Sequence, residues 1–239
     1  MTQHITRKEL KKDEVRETLT QGAELLLSHE KTTIYLVIVA VVIVLGIFGW
    51  RAYAQRQSVR AAAAFDGAMT VYQAPVTSQT QGLPPGQIVF TQDSAKYTEA
   101  SKKFSAIGKQ YPRTRSGRLA KYYAALCAEK LGQNSVAQKD LGDLAGSDGD
   151  FAAMARFALA QLDDRIGQSA EAEKLYKQLL GESSDLTPKP MVMLALAQHY
   201  GQKNPTEAAK LYAQIQTEYP DTTISDQAGQ ELAMLPGKS

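Results

Sequence analysis

The chain is predicted to be all-α, with one N-terminal transmembrane helix followed by an α-solenoid of stacked helical hairpins. Three observations predict this. Residues 34–50 read IYLVIVAVVIVLGIFGW, an apolar run without a charge. A small–large–aliphatic pattern recurs four times, its leading alanines 37, 35 and 36 residues apart. Gly132, Gly167 and Gly201 stand between these units, placed to end helices, and Pro112 and Pro220 follow the first and the last unit.

Residues 7–30 are charged and helix-prone, with Val15, Leu19, Ala23 and Leu26 forming a modest apolar stripe. The charge-free run follows. In lipid such a segment is a helix whose backbone groups are satisfied internally. With Thr32 and Thr33 it reaches about 19 residues, roughly 28 Å at 1.5 Å per residue, close to the thickness of a bilayer core. Tyr35 and Trp50 suit the two interfaces, and Lys31 and Arg51 bracket the run. A cleaved secretory signal starts with a short basic region, whereas here a long charged tail precedes the run. The small-x-small triplet Ala52-Tyr53-Ala54 has the form of a cleavage site, but Arg51 and the length of the span favour retention. The tail carries six Lys and Arg residues (Arg7, Lys8, Lys11, Lys12, Arg16, Lys31), against Arg51, Arg56 and Arg60 just beyond the span. This predicts a cytoplasmic tail and an external C-terminal part.

The helix is expected to continue past Trp50 and stop before Pro75. Residues 75–93, with Pro84-Pro85-Gly86, read as a spacer, in which Ile88, Val89 and Phe90 can tuck against the first soluble helix. The four repeated triplets follow: Ala100, Phe104, Ile107; Ala137, Leu141, Leu144; Ala172, Tyr176, Leu179; Ala208, Tyr212, Ile215. Positions i, i+4 and i+7 share one helical face, and a period in the mid-thirties means stacked helical hairpins. The alanine lets a partner helix approach, and the large residue fills the gap between hairpins. Each later triplet is preceded by a first helix, at 118–130, 151–165 and 191–200. Asn204 is placed to cap the helix that Pro205 opens, with Glu207 reaching back. A last helix over 222–235 presents Ile224, Ala228, Leu232 and Leu235 to the open end of the stack, the cap a solenoid needs. The expected organisation is therefore a tail (1–31), a span (32–50), a helical stalk and linker (51–92), repeats (93–221) and a capping helix (222–239).

Composition excludes much else. Beyond the span, Lys and Arg nearly balance Asp and Glu, so no net basic field favours nucleic acid. The lone cysteine, Cys127, forms no intrachain disulfide and reads as a buried thiol among alanines. His4, His29 and His199 lack partners at ligand spacing, so no metal is expected; His199, near a helix end, is placed to cap carbonyls. The acid pairs Asp163-Asp164 and Asp140-Asp143 fall at solvated helix positions by pattern, giving no catalytic constellation. Residues 142–149 (GDLAGSDG) lack the closing glutamate of a calcium loop and read as a turn. No cofactor site is apparent. The remaining candidate surface is the concave side of the stack, lined by first helices. Tyr122, Glu129, Gln161, Asp164 and Gln198 are expected to face it as a groove for protein segments.

The phrase Ala-x3-aromatic-x2-aliphatic-x4-Pro, carried by Ala100 to Pro112 and Ala208 to Pro220, resembles the second helix of the tetratricopeptide repeat. Leu119-Ala120, Leu159-Ala160 and Leu194-Ala195 stand roughly where the family has Leu-Gly. The whole layout, including Thr6 to Leu10 at the head of the tail, is similar to single-span tetratricopeptide proteins of the Gram-negative envelope, a group that includes the ancillary subunit of the Sec translocon. That resemblance implies a non-enzymatic, chaperone-like scaffold in the bacterial inner membrane, with a periplasmic repeat domain. Its implied partners are translocon subunits and periplasmic chaperones, with residues 32–50 in the bilayer and no nucleic acid. An alternative is a structural organiser of a division, wall-synthesis or secretion assembly that acts through oligomerisation.

Overall fold

The computed structural model describes residues 30–78, 86–147, 149–182, 184–201 and 203–235. The expected tail helix, its apolar stripe, His4, His29, Thr6 to Leu10, Pro84 and Pro85 lie outside the described residues, apart from Glu30. The described chain is helical: α1 Glu30–Tyr72, α2 Asp93–Gln110, α3 Arg115–Lys130, α4 Asn134–Ala145, α5 Asp150–Arg165, α6 Ser169–Leu180, α7 Lys189–Tyr200, α8 Pro205–Glu218 and α9 Thr223–Met234. It divides into two compact units, Met1–Arg56 and Gln57–Ser239.

In the first unit the described residues belong to α1. Its apolar side chains are all exposed, from Ile34 (58%) to Trp50 (62%). The helix is long and apolar enough to cross a membrane.

The second unit is a row of hairpins, each helix packing on the next in sequence from α2 to α9. Its four repeated alanines, Ala100, Ala137, Ala172 and Ala208, are fully buried. Their large partners Phe104, Leu141, Tyr176 and Tyr212 are at most 2% exposed, and the aliphatic third positions are buried too. The expected register therefore holds in every unit. Removing a methyl-only side chain from water is worth little. The alanines matter because they bring helix axes close enough for Phe104 or Tyr212 to reach the next hairpin.

The first hairpin begins earlier than the repeat pattern suggests. Ala61, Ala68 and Val71 of α1 are buried, and Phe65, Met69 and Tyr72 pack on Ala100, Phe104 and Ile107 of α2 and on Ala120, Ala124 and Cys127 of α3. Residues 57–72, expected in a stalk, thus form the first helix of a hairpin with α2. Phe90 joins the same cluster, tied back by Phe90 N–H to the Pro75 carbonyl (3.0 Å) and Thr77 N–H to the Phe90 carbonyl (2.8 Å). Ile88 stays exposed.

Helix ends follow local chemistry. Gly132 (φ 73°) and Gly167 (φ 83°) adopt the left-handed conformation after α3 and α5. They allow Gln133 N–H to reach the Ala128 carbonyl (2.9 Å) and Gln168 N–H to reach that of Asp163 (2.8 Å), closing both helices. Gly201 does not: its φ is −22°. Its N–H bonds the carbonyls of Ala197 and Gln198 instead, continuing the helical turn. Asn204 caps α8 by accepting from Glu207 N–H at 3.4 Å, but the Glu207 carboxylate turns to Lys210 (2.6 Å) rather than back to the cap. The region 142–149 is only in part a turn, since Gly142 lies inside α4.

Cys127 is fully buried, and burial pushes its thiol up to about 12. It is therefore unreactive while the first hairpins are closed. A disulfide reagent at pH 8 is expected to label the folded chain at least about a hundredfold more slowly than the denatured chain. Labelling at equal rates would place the thiol at the surface.

Candidate protein-binding face

The first helices form one layer of the stack. Residues 57–72 share a cluster with α3, and α3 touches α5, α5 touches α7 and α7 touches α9. No such contact joins α2, α4, α6 and α8 to one another among the described residues. A row whose first helices touch and whose second helices stand apart curves toward the first helices, making theirs the concave face.

A polar tie crosses each of the three joints from α3 to α9. Glu129 on α3 pairs with Arg165 on α5 (2.8 Å). Asp164 on α5 meets His199 Nδ1 on α7 at 2.5 Å. Gln198 on α7 donates to Glu231 on α9 at 3.3 Å. The partners stand 36, 35 and 33 residues apart, close to one repeat period. Equivalent positions of neighbouring first helices are thereby brought within hydrogen-bond reach.

Gln161, Asp164 and Gln198 line one open cleft of about 600 Å³ between α5 and α7, together with Arg165, Tyr176, His199 and Lys203. Gln161 and Gln198 are exposed, and Asp164 is half-buried. Glu129 does not line this cleft; it reaches it only through Arg165. Tyr122 lies apart, half-buried at the edge of the second core cluster, its ring 5.6 Å from that of Tyr123 in an edge contact. Burial pushes the Tyr122 phenol up to about 12, with the neighbouring Tyr123 and Tyr72 phenols and the Glu129 carboxylate adding to it. It is a neutral, amphipathic surface at any physiological pH.

His199 does not cap carbonyls as its position suggested. Its side chain is 4% exposed, with Nδ1 on Asp164 and Nε2 3.9 Å from Glu173. Glu173 in turn accepts from Tyr200 (2.8 Å) and Lys177 (2.6 Å). The Lys177 and Tyr200 hydrogen bonds hold the Glu173 carboxyl below its ordinary range. The Tyr176 phenol is raised by burial and by the Asp164 carboxylate. This network joins α5, α6 and α7 and fixes the floor of the cleft. Arg165, His199 and Lys203 are site residues that sequence reasoning missed. The signal was present for two of them: Asp164 and His199, and Glu129 and Arg165, are complementary polar pairs one repeat apart.

Asp163 also departs from expectation. Pattern placed it in water, yet it is 3% exposed. Its carboxylate accepts from Gln138 Nε2 on α4 at 2.8 Å, a partner 25 residues away. Burial nevertheless raises the Asp163 carboxyl above its ordinary 3.8. The folded chain thus keeps this proton to higher pH than the unfolded chain, so stability falls as pH rises from 3.8 through the raised value. Asp163→Asn keeps an oxygen for Gln138 and removes the buried charge. It is expected to melt roughly 2–4 °C higher at pH 7, about 1 kcal/mol, with the difference closing below about pH 4. A lower melting temperature at both pH values would show the carboxylate to be stabilising.

Among the described residues no group of His, Cys, Asp and Glu is arranged to hold a metal ion. The cleft offers amide, carboxylate, guanidinium and ammonium groups in fixed positions, which is chemistry for recognising a polypeptide's backbone and polar side chains.

Comparison with known proteins supports the architecture. Residues 27–185 match the Tetratricopeptide repeat-like domain, and residues 191–222 match the Tetratricopeptide repeat. Two crystal structures of the nearly identical TPR-like repeats of a Podosopora anserina kinesin light chain share the fold. One is 17% identical with a TM-score of 0.53; the other, a point variant of those repeats, is 16% identical with a TM-score of 0.54. Each alignment covers 73% of this chain and 84% of the other. No curated protein matches the sequence. With the larger match spanning residues 27–185 of 239, the chain belongs to the Tetratricopeptide repeat-like domain family.

Proposed function

We propose that this protein is a non-enzymatic, membrane-anchored scaffold. Its repeat unit binds protein segments along the face of the first helices, as an ancillary, chaperone-like subunit beside the protein-export translocon of a bacterial inner membrane. The observation that carries the binding role is the cleft between α5 and α7. Three side chains expected at the groove, Gln161, Asp164 and Gln198, converge there on a floor held rigid by the Asp164–His199–Glu173 network. A pre-ordered polar surface loses little entropy when a segment docks.

The anchor reading is supported by the exposed apolar face of residues 34–50, which has no place in water. The translocon and periplasmic readings come from the resemblance of the tail, single span and repeat layout to that envelope group. Partners under this reading are translocon subunits, exported polypeptides and periplasmic chaperones, and no cofactor is required.

Alkaline carbonate extraction, protease treatment of spheroplasts and affinity purification of the tagged full-length chain test the proposal together. The chain is expected to stay in the membrane pellet, to be digested from outside, and to bring export components with it. Release by carbonate overturns the anchor. Protection of the repeat unit in intact spheroplasts overturns the periplasmic placement. Purification without protein partners overturns the scaffold role.

A further inference from the structure

The near-balance of charge beyond the span conceals a strong asymmetry. Residues 51–128 carry 11 Lys and Arg against 3 Asp and Glu, whereas residues 129–239 carry 10 against 16. Between Ala100 and Ala128 there are seven basic residues and no acidic one. The basic half is the one that adjoins the apolar run.

Within the repeat unit five of these cations, Arg60, Lys109, Arg113, Arg115 and Arg118, gather at one end. Tyr72 meets Tyr97 at 5.8 Å, and Phe65 meets Phe104 at 5.5 Å, so residues 57–72 and α2 run antiparallel in a fixed register. Continuing that register places Arg60 level with Lys109. Helix α3 then turns back from the same end: a Cβ on Gly108 would touch Lys121 Cγ, and one on Gly117 would strike the Tyr111 carbonyl. Lys109, Arg113 and Arg115 therefore share an end with residue 57, where the chain arrives from the apolar run. Arg113 and Arg115 are exposed. The guanidinium of Arg115 lies 5.9 Å, and that of Arg118 4.7 Å, from the ring centre of Phe151. None of Arg60, Lys109, Arg113, Arg115 and Arg118 is held by a carboxylate among the described residues, although most other cations of the unit are.

We infer that this end, formed by Arg60, Lys109, Arg113 and Arg115 with Arg118 behind them, docks on the phosphate headgroups of an anionic lipid bilayer. The inference rests on the reading of residues 34–50 as a membrane anchor. Reach favours a bilayer over any other anion. Only residues 51–56 separate the apolar run from the repeat unit, and even fully extended they span at most about 20 Å. Two of the six, Arg51 and Arg56, are themselves cationic. The basic end is thus held beside the headgroups at high effective concentration, where each Lys or Arg near the surface adds to binding. Lys109 also shares a surface cleft with Asp140 and Asp143 of α4, whereas no carboxylate pairs with Arg113 or Arg115 among the described residues. The acidic later hairpins are repelled by the same surface. Docking by the first hairpin would therefore hold the cleft between α5 and α7 away from the bilayer, open to polypeptide.

The test uses the full-length chain in proteoliposomes of phosphatidylcholine alone, or with three parts in ten phosphatidylglycerol. Flotation confirms the anchor, and amide hydrogen exchange is followed over residues 107–120. Exchange there is expected to slow by roughly tenfold in the anionic vesicles and to recover in 0.5 M salt, as screening of an exposed charge contact requires. The triple variant K109E/R113E/R115E should float equally well and lose the protection. K139E/K174E/K210E, on later hairpins, should keep it. Failure to float refutes the anchor reading. Flotation with equal exchange in both vesicle types refutes the docking, as does protection that ignores salt. Protection by soluble polyglutamate but not by vesicles would assign the surface to an acidic protein instead.

Discussion

Gly117→Ala is expected to destabilise the joint between the first two hairpins by about 2 kcal/mol, and Arg113→Gly to restore part of that loss. The two residues belong to a turn that occurs twice. In Tyr111-Pro-Arg-Thr114, Thr114 accepts from Gly117 N–H at 3.0 Å and donates to the Tyr111 carbonyl at 3.0 Å. In Tyr219-Pro-Asp-Thr222, Thr222 accepts from Ser225 N–H at 3.2 Å and donates to the Tyr219 carbonyl at 2.8 Å. The capping chemistry is the same, but Gly117 is replaced by Ser225, which has a Cβ. In the first turn that atom would lie 1.8 Å from the Tyr111 carbonyl oxygen, an impossible approach to backbone. The second turn accommodates it in a different backbone path, with Asp221 at φ 60°. An alanine at 117 thus forces the first turn toward the second form, putting Arg113 in the left-handed region, where a side chain is strained and glycine is not. Gly142→Ala is the control. It lies within α4 with open space at its Cβ, so it should stabilise by about 0.5–1 kcal/mol. Thermal melts of the full chain in detergent check all three. Neutral behaviour of Gly117→Ala, or no rescue by Arg113→Gly, would mean that the turn form is not set by this contact.

Phe104→Ala is expected to cost about 4 kcal/mol and to separate the first hairpin from the rest of the stack. Phe104 is fully buried, with ring centroids 5.5 Å from Phe65, 6.1 Å from Tyr72 and 5.3 Å from Tyr123. It therefore joins residues 57–72, α2 and α3 at one point. In a solenoid each repeat leans only on its neighbours, so a hole at one joint does not spread its cost along the row. Hydrogen exchange should accordingly rise in residues 57–128 and change little in α7 to α9. A uniform rise across all hairpins would contradict nearest-neighbour stacking. Leu141, equally buried in the second triplet, should give a similar but smaller loss on truncation, lacking the aromatic contacts.

The repeat architecture was legible because its signal is periodic and its cause is packing. Ala100, Phe104 and Ile107 recur in kind at the next three units because each joint must solve the same close approach of helices. The first helix of the first hairpin carries no boundary of its own in the sequence. Residues 57–72 are continuous with the apolar run, so no turn announces them, although Ala61, Phe65, Ala68 and Tyr72 show the i, i+4, i+7 spacing of a buried face. Asp163 was misplaced because helical pattern registers only near neighbours. What makes its burial tolerable is Gln138, on the adjoining hairpin. For the cleft, the sequence indicated the layer and several residues, Gln161, Asp164 and Gln198. It did not indicate that Glu129, Asp164 and Gln198 would be tied across the joints, nor that Tyr122 would pack against Tyr123 instead. Those outcomes depend on side-chain directions across repeats, which spacing alone constrains only to a face.

Site-specific photocrosslinking in intact cells tests the central claim most directly, that the first-helix face of this repeat unit takes up protein segments. A photoreactive phenylalanine derivative at Gln161 or Gln198, exposed beside the cleft, is compared with one at Lys174 or Ala213, exposed on second helices. The account predicts protein adducts from Gln161 and Gln198 and none above background from Lys174 and Ala213. Adducts confined to the second helices, or no adducts from any of the four, would contradict it.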